Sequence, residues 1–284
     1  ASIVSGNKMS SSLTFGQFIK AIASFSAPVI AAWGAARFAD WRMILFPGFT
    51  IITIIALSYL GMTKIEEDQA TGKPASFKEC FALMRDSYVL FFFLGIMAHV
   101  GLDVGINTTA PKLLMEHLGL ALKDAGYATS FYFIFRTAGC LMGTYLLGKF
   151  GDKKVFIVSV SMILLGILGL FSSDKTIMYI GIAMFGLGNS NIFPVMFSQA
   201  LIRKPANQNE VSGLMITGIV GGAVFPLIMG IASDIIKSQI GALIVLLLLV
   251  ICLPVVLPLL HRGFFQSDDG EWMVIRFSAF HQAL

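Results

Sequence analysis

The chain has 284 residues, of which 56% are hydrophobic and only 13% charged. Soluble domains carry about a quarter charged residues, so this composition excludes an ordinary soluble domain and predicts an all-α polytopic membrane protein. The formal net charge of +4 calls for no nucleic-acid partner, because basic residues in membrane-flanking loops account for it.

A helical span needs about 20 apolar residues. Eight stretches meet the requirement: Leu13–Ala36, Met43–Met62, Tyr88–Asn107, Gly126–Leu147, Val155–Phe171, Ile177–Leu201, Val211–Ala232 and Ile240–Leu260. Most connections are short, which predicts antiparallel neighbours. One is long: Thr63 to Asp86 is charged, contains Gly72 and Pro74, and marks a boundary between two bundles. The expected organisation is two helices of a first bundle (1–62), an interdomain loop (63–87), a six-helix bundle (88–260) and a tail (261–284). The tail is too short and too polar to span again, and no function is assigned to it.

Orientation follows from the basic residues. Lys8, the long-loop Lys64, Lys73, Lys78 and Arg85, then Lys149, Lys153, Lys154, Arg203, Lys204, Arg262 and Arg276 fall on one side. Arg37, Arg42, Lys112, Lys123, Lys175 and Lys237 fall on the other. The richer side is expected to be cytoplasmic, with both termini there and the protein in a bacterial inner membrane.

Two polar groups stand out on the early spans. Lys20 lies about eight residues into the first, with Gln17 one turn before and Ser24 one turn after, which makes a single polar stripe. An ammonium there either faces a cavity or snorkels to the headgroups. On the third span His99, Asp103 and Asn107 recur every four residues and share a face, and Arg136 sits mid-span in the next helix. Asp103 and Arg136 are expected either to pair and lock two helices or to serve solute or proton traffic. Asp103 is the one carboxylate well inside a span.

The sixth span carries FGLGNSNIFPVMFSQA, residues 185–200. Asn189, Ser190 and Asn191 stand among Gly186, Gly188 and Pro194, where glycine and proline loosen the helix. Amides in hydrocarbon need partners, so Asn189 and Asn191 either line a cavity or bind helix to helix. Glycines 139, 143, 218, 221, 222 and 230 are expected to serve close helix packing. Trp33, Phe193 and Phe197 belong to the core or the lipid face unless they stack on a solute.

Cys80, Cys140 and Cys252 read as small buried hydrophobes rather than a disulfide frame or a metal site. The four histidines are scattered, and no HExxH, CxxC or paired-carboxylate pattern occurs. No metal, cofactor or enzymatic activity is therefore expected.

The loop Gly148–Lys154, GKFGDKK, resembles the Gly-x-x-x-Asp-basic loop of major facilitator transporters, through Gly148, Asp152 and Lys153. Three longer stretches, Leu13–Ala35, Gly186–Leu201 and Ser212–Asp234, resemble the fucose:proton symporter family, and within it bacterial transporters of glucose, galactose or fucose. The resemblance covers Leu13 to Leu260. It implies a major facilitator fold in which Leu13–Ala36 matches the fifth of twelve spans, so that about four N-terminal helices are lacking and eight are present. It also implies sugar contact at Gln17, whereas Lys20 departs from an amide in the family. The family's proton-handling carboxylates lie in the absent spans.

The expected function is a monomeric secondary transporter of a hexose or fucose-like sugar, coupled to protons in its full-length form and working by alternating access. Its candidate substrate contacts are Gln17, Lys20, Asn107, Asn189 and Asn191. A carrier of another small polar solute, an inactive remnant and a membrane enzyme are the alternatives.

Overall fold

The computed structural model describes residues 6–38, 40–62 and 77–256. Among them every regular element is helical. The helices are α1 (Gly6–Arg37), α2 (Trp41–Met62), α3 (Phe77–Ala82), α4 (Ser87–Leu118), α5 (Leu122–Phe150), α6 (Asp152–Leu170), α7 (Lys175–Asn189), α8 (Ile192–Arg203), α9 (Gln208–Thr217), α10 (Gly221–Ile236) and α11 (Ile240–Cys252). Seven of the anticipated spans fall on these helices, and the eighth, Ile240–Leu260, is helical over its described part, with 257–260 outside the described residues. Two of them are broken rods: α7 with α8, and α9 with α10. Five rods are long and apolar enough to cross a membrane by composition alone: Leu45–Met62, Ser87–Leu118, Asp152–Leu170, Lys175–Arg203 and Pro205–Ile236. The chain is a multi-pass membrane protein. Most of the 63–87 loop and the whole 261–284 tail lie outside the described residues.

The breaks have local causes. Pro194 has no N–H to give the carbonyl of Ser190, four residues back, and the helix opens over Ser190 and Asn191. The freed Ser190 carbonyl accepts instead from the Cys140 thiol of α5 at 3.7 Å. Pro111 has the same effect inside α4, yet that helix runs on to Leu118, well past the expected limit at Asn107. The orphaned Asn107 carbonyl is taken by the Thr129 hydroxyl at 3.4 Å. Helix α4 then stops at Gly119, whose φ of 63° is left-handed.

Helix α4 is the spine of the bundle. Val89, Phe92, Ile96, Leu102, Ile106 and Leu113 are buried along it, against α8, α10 and α11. In lipid the apolar surface of a helix gains little by leaving the tails, so close packing has to hold the helices together. Gly186 shows how tight that packing is. A Cβ there would lie 2.8 Å from the Tyr132 carbonyl oxygen and 3.2 Å from the Arg136 nitrogen. Gly230, by contrast, faces open space. Helix α2 is the exception to the packing: it touches α1, and none of Leu45–Met62 is buried among the described residues.

At the start of α4, Asp86 caps the helix by accepting from the Tyr88 N–H at 2.9 Å, and it pairs with the Lys204 ammonium at 2.7 Å. Arg203 lies 4.2 Å from the centre of the Tyr88 ring. Partial burial pushes the Asp86 carboxyl up, but Lys204 and the Tyr88 N–H outweigh it and hold it below the usual carboxylate range. A lowered carboxyl stabilises the fold above its unfolded pKa and loses that contribution as pH falls through the folded value. This fastening therefore weakens in acid.

With the expected span Gly126–Leu147 on α5 counted beside α4 and α6, three traverses separate Arg85 from Ser173. In a background without native cysteines, Arg85→Cys and Ser173→Cys should label from opposite sides of the membrane with an impermeant maleimide. Labelling from one side would contradict this threading.

Candidate functional site

The polar residues of α4, α5 and the α7–α8 break converge in the middle of the bundle. Asp103 and Arg136 form an ion pair, with Arg136 Nη1 2.8 Å from Asp103 Oδ2 and both side chains largely shielded. Asn189 Nδ2 donates to Asp103 Oδ1 at 3.2 Å and to the Tyr132 hydroxyl at 2.9 Å. The Tyr132 hydroxyl in turn donates to Asp103 Oδ1. One carboxylate thus gathers a guanidinium, a phenol and an amide from two other helices. Opposite charges this close lower each other's cost in a low-dielectric interior, provided the remaining donors and acceptors are also matched.

Tyr132 escaped the sequence reading. It is buried, and it stands one turn before Arg136 on the same face of α5. That i, i+4 relation was visible in the sequence, but a tyrosine in a span carries no charge to draw attention. Gly186 brings α7 against the backbone of this same turn, which sets Asn189 within reach of both side chains.

Several buried polar atoms around the pair lack a well-aligned hydrogen-bond partner: Arg136 Nε, Asn107 Oδ1, Asn189 Oδ1 and His99 Nδ1, the last two on side chains that interact with each other. Buried polar atoms are seldom left unsatisfied, and such a cluster points to a solute or water that completes it. The set mixes donors with acceptors, which suits hydroxyl groups, since a hydroxyl both gives and accepts. Asn107 spends its amide on the Asp103 carbonyl at 2.7 Å. The His99 ring lies 6.2 Å from that of Phe193, which stacks on Phe197 at 5.5 Å. Phe197 also lines a 330 Å³ cavity with Met9 and Leu13 of α1 and with Gln208 and Asn209 of α9.

The other candidates are placed differently. Gln17 is half-buried and continues the face of α1 on which Ser10 and Thr14 are buried. Lys20 is exposed, yet near enough to His99 and Cys140 for its charge to act on both. Asn191 does not join Asn189. It packs at Gly143 of α5, with its amide 3.5 Å from the Gly139 carbonyl and its Oδ1 unpartnered. Two residues apart across a helix break, the two asparagines serve different surroundings.

The loop motif forms a second polar centre. Gln199 Nε2 of α8 donates to Asp152 Oδ2 at 2.6 Å, and the Ser10 hydroxyl of α1 donates to the same oxygen at 2.8 Å. Ser10 also meets the Ser198 hydroxyl, and Ser11 donates to the Thr144 carbonyl at 2.5 Å. Asp152 therefore ties α1 to α8. The glycine that the turn requires is Gly151, with φ 77°. A Cβ on Gly148 would meet nothing within 4 Å.

Comparison with known proteins adds the following. The family profile described as Major Facilitator Superfamily matches residues 1–217 and 91–268. The chain is 28% identical over 243 residues to the glucose/galactose transporter of Brucella abortus in two strains, which covers 84% of this chain and 56% of the relative. It thus spans about half the length of the curated relatives it matches. Among solved structures it is similar to the transporter FucP in the outward conformation, at 15% identity and a TM-score of 0.71, covering 88% of this chain and 68% of that one. The E. coli fucose:proton symporter FucP matches with a TM-score of 0.72, again at 15% identity, covering 92% and 70%. At that identity the likeness shows the fold.

Proposed function

The chain belongs to the Major Facilitator Superfamily, and from this premise we propose that it forms the solute path of a secondary transporter for a small sugar. The observation that carries the reading is the buried centre at Asp103, Tyr132, Arg136 and Asn189, with unspent donors and acceptors around it. A polyhydroxyl solute satisfies such a set, and a solute lacking the matching hydroxyls leaves buried groups unpaired. The name of the Brucella relative, a glucose/galactose transporter, supports a hexose. Phe193 and Phe197 offer an apolar face to a sugar ring, and Gln17 and Lys20 approach from α1.

In this reading the chain holds two helices of one bundle, α1 and α2, and a six-helix bundle from α4 onward, joined by the long loop. Transport is alternating access between them, with no covalent step and no cofactor. The protein sits as a monomer in the bacterial inner membrane, with its basic side and both termini in the cytoplasm. Asp152 fastens α1 to α8 when that side is closed, while Asp103 and Arg136 lock α4 to α5 beside the solute. Asn107 and Asn189 face the solute, and Asn191 packs α8 on Gly143 of α5.

The test compares two substitutions by affinity and by abundance. Asn189→Leu should weaken sugar binding by about tenfold, the worth of one or two desolvated hydrogen bonds. Asn191→Leu should lower abundance and leave affinity unchanged in the surviving protein. If Asn189→Leu also spares affinity, the centre is helix packing and the reading fails.

A further inference from the structure

A second site lies on the opposite side of α5 from the interface with α1. Helices α5 and α6 are antiparallel and scarcely touch, because both lean on α7. The crevice between them has a volume of 380 Å³. Its walls are Met142, Leu146 and Phe150 of α5 and Val155, Val158 and Met162 of α6. Leu187 and Asn191 form its floor, and Lys154 stands at its mouth. The lining is almost wholly apolar, and Met142, Phe150 and Val158 are each about half exposed.

The mouth is strongly basic. Lys154 lines it, and Lys149 and Lys153 stand at the same loop end of α5 and α6, the Lys149 ammonium 5.4 Å from the centre of the Phe150 ring and 5.7 Å from that of Tyr145. The acid in this turn is Asp152, whose Oδ2 accepts from Ser10 and Gln199 on the other side. Three cations therefore cluster at the loop end of the two helices that wall an apolar crevice, and Lys154 among them lines it.

The length fits one leaflet. From Lys154 to Met162 is about 12 Å along α6, and from Phe150 to Gly139 about 16 Å along α5, at 1.5 Å per residue. Half of a hydrocarbon core about 30 Å thick is about 15 Å. A crevice that begins at headgroup level with lysines and ends near mid-membrane among apolar side chains has the shape and charge of a lipid. We propose that it binds one molecule of an anionic phospholipid, with an acyl chain between α5 and α6 and the phosphate held by Lys149, Lys153 and Lys154. A zwitterionic lipid offers the same chain and no net charge, so the lysines select against it.

The test uses the purified chain in an uncharged detergent, titrated with phosphatidylglycerol or phosphatidylcholine and read by native mass spectrometry as the fraction carrying one lipid. Phosphatidylglycerol should bind about tenfold tighter or better, given the attraction each lysine adds near a charged headgroup. The triple variant Lys149→Gln/Lys153→Gln/Lys154→Gln should lose that preference. Met142→Trp with Val158→Trp should fill the crevice and abolish one-lipid binding with the lysines intact. Both residues are exposed, so neither change removes core packing, and the single substitutions serve if the pair does not fold. Equal binding of the two lipids would overturn the proposal. So would a preference that survives in the filled variants, since it would then come from surface charge alone.

Discussion

Arg136→Leu should eliminate most of the folded protein. It leaves the Asp103 carboxylate inside the bundle without its cation, and an uncompensated buried charge costs about 3–5 kcal/mol. Asp103→Leu should be as damaging, because it strands the guanidinium. The double variant Asp103→Leu/Arg136→Met should recover abundance, since an apolar pair of similar volume is often no worse than a buried ion pair. Tyr132 and Asn189 still bond each other there, at 2.9 Å in the parent. With the first four helices of the Brucella relative placed before the chain, the recovered double variant should nevertheless be inactive, with no response of uptake to pH. Abundance is read by fluorescence size-exclusion chromatography, and uptake with labelled sugar in vesicles. Normal transport by the double variant would make the pair a helix lock and nothing more. Undiminished abundance of Arg136→Leu would contradict the shielded setting itself.

The 284-residue chain by itself should accumulate no sugar against its gradient when a pH gradient is imposed. The polar centre is enclosed by α4, α5, α7 and α8, and α1 packs on α5 and α8 with the exposed Lys20 near enough to His99 for its charge to act on it. Helix α2 has no buried residue in its span among the described ones. A pathway with one wall so thin cannot close on both sides in turn, and a proton shifts an equilibrium only by binding its two states differently. Placing the first four helices of the Brucella relative before the chain should restore uptake that follows the pH gradient. The comparison is uptake by the two proteins in the same vesicles, at equal abundance. Accumulation by the shorter chain would show that its own helices suffice, and Asp103→Asn would then be the coupling test.

Composition by itself determined that this protein lives in a membrane, because long apolar runs with few charges have no other stable solvent. The helical spans were legible for the same reason: in lipid every backbone group must be paired within its own helix. Pro194 with its neighbouring glycines marked the break between α7 and α8, since a missing N–H has only local consequences. The spacing of His99, Asp103 and Asn107 put them on one face, and charge economy suggested Arg136 as partner.

What lay beyond the sequence depends on which helices meet. Helix α4 runs past Pro111 because Thr129, on the next helix, takes the stranded carbonyl. Tyr132 belongs to the centre because Gly186 lets α7 approach α5 closely enough for Asn189 to reach it. Asn189 and Asn191 look equivalent in the chain, yet the opened turn points one at Asp103 and the other at Gly143. Asp152 sits in a loop motif whose sequence names no partner, and it accepts from Ser10, 142 positions away, and from Gln199. Hydrophobicity in a bilayer says which segments span and is nearly silent about which neighbour each prefers, because lipid tails are as apolar as any helix face. Pairing was therefore left to small residues and a few polar contacts, whose partners only the tertiary structure decided.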